Sequence, residues 1–324
     1  MNQRSFCNRP IGEIGLGTWQ LGTRWGDPFN LDEAMRILET AEACGINFID
    51  TADVYNGGES ERAIGEFIAS RPGRFFVTTK CGRQLNPHTA GMYTPDAIRG
   101  FIEGSLRRLR LERLDLMLLH CPPTPVYARD DIFSELERQK RAGKLAGYGV
   151  SIEKVDEGIK ALDYDISAME VIFNMFRLKP LDQLFPMAAG RQIGIIVRVP
   201  LASGLLTGKF NANTVFGPRD HRTYNREGAS FDKGETFSGV PYDLGLAAVE
   251  DLKALFGTDD LSPIAIRWIL MHPEVGVVIP GASRAEQVKS NVRAAELAPL
   301  TGEQMKAVQE IYDRHLRAII HPQW

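Results

Sequence analysis

The chain predicts a (β/α)8 TIM barrel with a long loop over the catalytic face and a C-terminal helical tail. Eight short, nearly continuous apolar runs alternate with amphipathic stretches, as strands covered on both faces by helices require. Residues able to do proton chemistry close several of these runs, where parallel barrels carry their active groups. The rival, a doubly wound sheet, is disfavoured because residues 15–20 read Gly-Leu-Gly-Thr-Trp-Gln and lack the third glycine of a dinucleotide fingerprint.

In chain order the candidate strands are 14–19, 47–51, 75–80, 115–120, 145–151, 168–173, 195–200 and 275–280. Helices are expected between them. Asn30, three residues ahead of Glu33, opens the first as a capping side chain. A second spans 59–69, and Thr94-Pro95-Asp96 places a cap and a first-turn proline ahead of the third. Further helices fit 131–141, 153–162, 181–189, 244–256 and 285–295, and Gly45, Gly143, Gly190 and Gly257 stand near helix ends that favour the left-handed conformation. Residues 1–324 are expected to form one domain, with a barrel core over about 14–298 and a helix and tail over 299–324. Residues 210–241, glycine-rich, polar and aromatic, follow the seventh strand and would hang over the mouth as a lid or a disordered loop.

Composition narrows the function. At 44% hydrophobic and 24% charged, 324 residues can bury a large core. A net charge of -3 and a pI near 6.1 leave no basic field for nucleic acid or anionic membrane. Cys7, Cys44, Cys81 and Cys121 are widely spaced and form no C-x-x-C pair, so reduced thiols are expected rather than a disulfide frame or a metal site. No signal-peptide core and no run of 18 apolar residues occurs, which predicts a cytoplasmic protein without membrane partners.

The site candidates are Asp50, Tyr55, Lys80 and His120, which a barrel would bring to one mouth. Singly, each has an ordinary reading: a turn-capping aspartate, a packing tyrosine, a strand-end lysine, a core histidine. Jointly they suit protonation of a carbonyl oxygen. A free phenol ionises near ~10, too high for proton transfer at neutral pH, and a neighbouring ammonium held by Asp50 is expected to lower it. A neutral His120 would donate a hydrogen bond to the reacting oxygen. None of the four supplies a hydride, so a nicotinamide cofactor is required.

The segments Gly15–Trp19, GINFIDTADVYNGGESE, VTTK, LDLMLLHCP, GYGVS, VPLASGLLTGK and VIPGASRAEQVKSN, in that order along nearly the whole chain, resemble the aldo-keto reductases. The resemblance implies an NADP(H)-dependent oxidoreductase, NAD(H) being the alternative, with Asp50, Tyr55, Lys80 and His120 as its catalytic tetrad. It implies a small carbonyl substrate, an aldehyde, sugar or ketone, reduced reversibly with a proton from Tyr55. Ser151 matches the family's carboxamide-binding serine, while Ile152 replaces the usual asparagine and Glu170 the usual glutamine. Arg198 stands where an aromatic ring often stacks on the nicotinamide; its guanidinium either covers the ring or pairs with Glu170.

Thr18, Trp19, Pro200, Leu201, Ser203, Gly204 and Lys209 lie on the implied cofactor grip, and Gly281, Ser283, Arg284, Gln287 and Asn291 at its adenine end. Arg284 favours a 2′-phosphate, and Ser283 either joins it or caps the helix that follows. Gln287 stands where many relatives carry a further arginine. Trp19, Trp25, Tyr55 and His120 are the implied substrate contacts, with Trp324 and the long loop closing over them. Two other functions use the same residues: a cofactor-binding regulatory or sensing barrel, and a redox-neutral elimination or epimerisation with retained cofactor.

Overall fold

A computed structural model of the chain describes residues 1–23 and 26–324. Its first element is an antiparallel hairpin, β1 (Gln3–Phe6) and β2 (Arg9–Gly12), turned by left-handed Cys7 and Asn8. The sequence reading placed no strand here. Phe6 packs edge-on against Phe48 and Phe76, each at 5.5 Å between ring centroids. A Cβ at Gly194 or Gly276 would lie 2.5 or 2.6 Å from this ring, so glycine at both positions makes room for it. The hairpin thus plugs the amino-terminal end of the barrel.

All eight expected barrel strands form: β3 (Leu16–Gly17), β4 (Phe48–Asp50), β5 (Phe76–Cys81), β6 (Leu116–His120), β7 (Tyr148–Ser151), β8 (Ala168–Ile172), β9 (Gly194–Arg198) and β10 (Val275–Val278). They are parallel and pair in sequential order from β3 to β10. Parallel bridges Ile14–Val278 and Gly17–Gly281, with Gly15 N donating to Val278 O at 2.8 Å, join the last strand to the first and close the ring. The register sets His120 beside Ser151 and Ser151 beside Glu170, a row of polar side chains across three strands.

The outer helices begin as their caps dictate. Asn30 accepts from Glu33 N at 2.9 Å ahead of Leu31–Ala43, and Thr94 accepts from Ala97 N at 3.1 Å ahead of Pro95–Leu109. Gly45, Gly143 and Gly257 are left-handed, but Gly190 is the last residue of its helix and the left-handed residue there is Gln192. The crossover between β9 and β10 holds two longer helices besides the short one His221–Tyr224. The expected one, Tyr242–Phe256, packs against the C-terminal helix Gly302–His315. The wall of the barrel is completed instead by Ser262–Leu270, which packs on β10 and is buried all round except at Ile264. Its nine residues, SPIAIRWIL, are apolar but for Ser262 and Arg267, and a short apolar run does not by itself tell a buried helix from a strand.

Residues 210–241 are ordered by their own packing. Phe216 meets Phe210, Phe237 and Tyr242, and Asp220 caps the short helix His221–Tyr224. Trp324 is buried against Gly234 and Gly239 of this loop, and the Arg177 guanidinium lies 4.1 Å from its ring centroid. All four cysteines are free thiols. No helix among the described residues is long and apolar enough to cross a membrane.

Candidate active site

Four groups converge at the carboxyl ends of β4, β5 and β6. Asp50 ends β4, Lys80 lies one residue from the end of β5 and His120 ends β6. Tyr55 begins a tight turn, Tyr55–Gly58, in which Asn56, Gly57 and Gly58 are all left-handed. Asn56 holds that turn through its amide, which donates to Leu21 O and Ser60 Oγ, both at 3.1 Å.

Lys80 is fully buried. Its Nζ donates to both oxygens of Asp50 (2.7 and 2.6 Å), to Thr51 O (3.1 Å) and to Tyr55 Oη (3.4 Å). The His120 ring stands edge-on to Tyr55 at 5.8 Å.

Burial works against the charge on Lys80, yet Asp50 and Glu170 overcome it and hold the ammonium more firmly protonated than a free lysine. Burial, then Arg83 and Lys80, push His120 well below the ordinary histidine range, so its imidazole is neutral. Asp50 is raised by burial and by Glu170, with Lys80 opposing. The phenol of Tyr55 departs from expectation. Lys80 does favour the phenolate, but burial outweighs it, with Asp50 and Glu170 adding to the rise, and the group stays protonated beyond the usual tyrosine range.

A cavity of about 310 Å³ opens above these groups. Trp19, Tyr55, His120 and Phe231 form its aromatic side, and Arg83 and Glu235 face it from the polar side. Trp19 is fixed there by its ring contacts, Tyr55 at 6.5 Å, His221 at 5.2 Å and Phe231 at 5.8 Å. The long loop therefore contributes directly to the cavity wall, through Phe231 and Glu235. Trp25, a candidate substrate contact, lies outside the described residues.

Arg198 occupies the centre of a buried ion cluster. It meets Glu153 at 3.0 Å, Glu235 at 3.7 Å and Glu170 at 3.8 Å, and donates to Ile152 O at 3.1 Å. Arg83 bridges Glu235 and Glu153. The expected pairing with Glu170 is present but is the longest of the three. Cys121, Glu153 and Glu235 bring ligand-type atoms within 4.8 Å of one another, but both carboxylates are already matched by guanidiniums.

Burial lifts Glu153 to about 7 despite Arg198. Glu235 is held down at about 2, because Arg83 and Arg198 together outweigh its burial. Sequence reasoning missed Arg83, Glu153 and Glu235. Arg83 and Glu153 stand just beyond strand ends, a signal that was available; nothing local marks Glu235.

The expected cofactor residues fall along the same rim. Thr18 donates its hydroxyl to Asp50 O at 2.8 Å, and Ser151 donates to Glu170 Oε1 at 3.4 Å. Pro200 is buried, Leu201 is half-buried and Gly204 is left-handed. Ser203 uses its hydroxyl on the long loop, donating to Glu235 O and accepting from Phe237 N, each at 3.0 Å.

At the far end Gly281 and Arg284 are exposed, Asn291 donates to Gly281 O at 3.3 Å, and Ser283 N and Oγ both donate to Gln287 Oε1. The residue at the cap of Ala285–Val292 is Arg284, not Ser283, and no side chain caps the first turn.

Fold and site together define a barrel oxidoreductase: a closed ring of parallel strands with a buried lysine–carboxylate pair aimed at a phenol in its mouth. The chain belongs to the aldo/keto reductase family, whose model matches residues 13–313. It is 29% identical over 316 residues to the uncharacterized oxidoreductase YqkF of Bacillus subtilis (94% of this chain, 95% of the relative). It is 27% identical over 314 residues to the NADH-specific methylglyoxal reductase of Escherichia coli (89% and 90%). Among solved structures it resembles the glycerol dehydrogenase AKR11B4 of Gluconobacter oxydans, with a TM-score of 0.78, 29% identity, and 100% and 98% of the two chains covered.

Proposed function

We propose that the protein reduces an aldehyde, sugar or small ketone to the alcohol, reversibly, with NADPH. The observation that carries this reading is the line from Asp50 through Lys80 to Tyr55, an ammonium fixed by a carboxylate and aimed at a phenol on an aromatic cavity wall. In reduction Tyr55 gives its proton to the carbonyl oxygen, and Lys80 stabilises the phenolate left behind. Neutral His120 donates a hydrogen bond to the same oxygen as negative charge grows on it. In the reverse direction the Tyr55 phenolate takes the alcohol proton.

A nicotinamide dinucleotide, when bound, supplies and accepts the hydride. The rim suits such a polyanion. Lys209 and Arg284 are exposed and have no ion-pair partner among the described residues, and Arg284 stands at an uncapped helix amino terminus. Ala202, Ser203 and Gly204 are successively left-handed, a tight turn in which Ala202 N and Gly204 N donate to Val199 O and Leu201 O. The preference for NADPH rests on Arg284 reaching a 2′-phosphate. Since one relative is named NADH-specific, both cofactors belong in the assay.

The test is oxidation of NADPH or NADH against a panel of aldehydes, sugars and ketones, repeated with Tyr55→Phe. The variant is expected to lose about 10²–10⁴-fold in kcat with cofactor affinity kept; unchanged turnover would overturn the assignment. Tight cofactor binding with no turnover would support a regulatory or sensing barrel. Product formed without net change in cofactor absorbance would support a redox-neutral elimination or epimerisation.

A further inference from the structure

Glu170 is 1% exposed, on β8, and its two oxygens point to different cations. Oε2 lies 3.3 Å from Lys80 Nζ, while Oε1 accepts from Ser151 Oγ at 3.4 Å and lies 3.8 Å from Arg198 Nε. Lys80 is therefore enclosed by two carboxylates, Asp50 and Glu170, with Tyr55 Oη on the same nitrogen at 3.4 Å. The second carboxylate adds negative potential at the ammonium and the phenol beyond that of Asp50. Arg198 divides its charge among three carboxylates, Glu153 at 3.0 Å, Glu235 at 3.7 Å and Glu170 at 3.8 Å.

We propose that Glu170 is a second counter-ion of Lys80, a positioning residue that acts through the ammonium to set the pH at which Tyr55 turns from proton donor to proton acceptor. The proposal rests on the reading of Tyr55 as the acid and base of the reaction. The charged and titratable groups facing Tyr55 are Lys80, Asp50, Glu170, the neutral His120 ring and, across the cavity, Glu235 with Arg83; those facing Glu170 are Lys80, Asp50, Tyr55 and Arg198. A carboxylate so placed opposes formation of the phenolate in a medium that screens charge poorly. The protonation tendencies of the site agree, for Glu170 raises Tyr55, Asp50 and Lys80 alike. Carrying glutamate here in place of a neutral amide thus holds Tyr55 as a donor to higher pH and defers alcohol oxidation to more alkaline solution.

Glu170→Gln removes the charge and keeps the shape. In alcohol oxidation with NADP+, the pH of half-maximal kcat is expected to fall by roughly one unit in this variant, whereas Glu170→Asp, which keeps the charge, stays nearer the parent protein. Coincident pH profiles for Glu170→Gln and the parent would overturn the proposal. If Glu170→Gln does not fold, Glu170→Met removes the same charge with an apolar chain of similar length, and the same shift is expected of it.

A second readout needs no turnover. Alkaline absorbance titration of the cofactor-free protein, with the Tyr55→Phe trace subtracted, isolates the Tyr55 phenolate. Its appearance at lower pH in Glu170→Gln supports the proposal even if no carbonyl is turned over, a result that would count against the reductase reading alone. An unmoved phenolate signal would overturn the proposal even in an active enzyme.

Discussion

Two buried cations at this site, Lys80 and Arg198, are stabilised in different ways. Lys80 gathers Asp50, Glu170, a backbone carbonyl and a phenol around one nitrogen. Arg198 spreads its guanidinium over three glutamates supplied by a strand, a strand-end loop and the long loop. The second arrangement is pH-sensitive through Glu153, lifted to about 7 by burial. A carboxyl whose folded-state value is raised contributes stability below its unfolded value, and that contribution is lost as pH rises through the folded value. Glu235, held near 2, contributes in the opposite sense and loses its contribution as pH falls from the ordinary carboxylate range towards 2. The melting temperature of the parent protein, measured against Glu153→Gln, is therefore expected to fall between pH 5 and pH 8; a difference constant over that window would refute the assignment.

The turn Tyr55–Gly58 shows what an element contributes to a single side chain. Three successive left-handed residues turn the chain away directly after Tyr55, whose hydroxyl lies 3.4 Å from Lys80 Nζ. At Gly58, with φ near 92°, a Cβ would also stand 3.0 Å from Arg108 Cδ. Gly58→Ala is expected to cost about 1–2 kcal/mol of stability, with a fall in kcat larger than any change in cofactor affinity. Denaturant unfolding and steady-state kinetics check the two halves separately. The helix Ser262–Leu270 makes the complementary point: with both faces covered, it is a short, mostly apolar run that sequence alone does not tell from a strand, although it completes the barrel wall.

Across the whole molecule the barrel is plugged below and covered above, by unrelated means. Below, Phe6 fills space that Gly194 and Gly276 leave open. Above, the loop over 210–241 is tied to the rim through Ser203, through Asn174, whose amide donates to Ser238 Oγ at 2.8 Å, and through Glu235. Phe6→Ala leaves a cavity at the end of the barrel away from the chemistry and is expected to cost about 3–5 kcal/mol, with KM unchanged. A large change in KM would show that the plug is coupled to the mouth.

The barrel, its strand order and the meeting of Asp50, Tyr55, Lys80 and His120 were legible in the chain, because eight apolar runs allow one closed arrangement and a strand end marks its residues in one dimension. The caps at Asn30 and Thr94 were legible for the same reason: a helix start is a local chemical event. The cluster around Arg198 was not, since Arg83, Glu153 and Glu235 come from three segments distant in sequence. Nor was the protonation of Tyr55: proximity to an ammonium is predictable, but the burial that outweighs it belongs to the assembled core. Local periodicity and capping determine which elements form, whereas the balance between desolvation and charge pairing exists only once those elements are packed together.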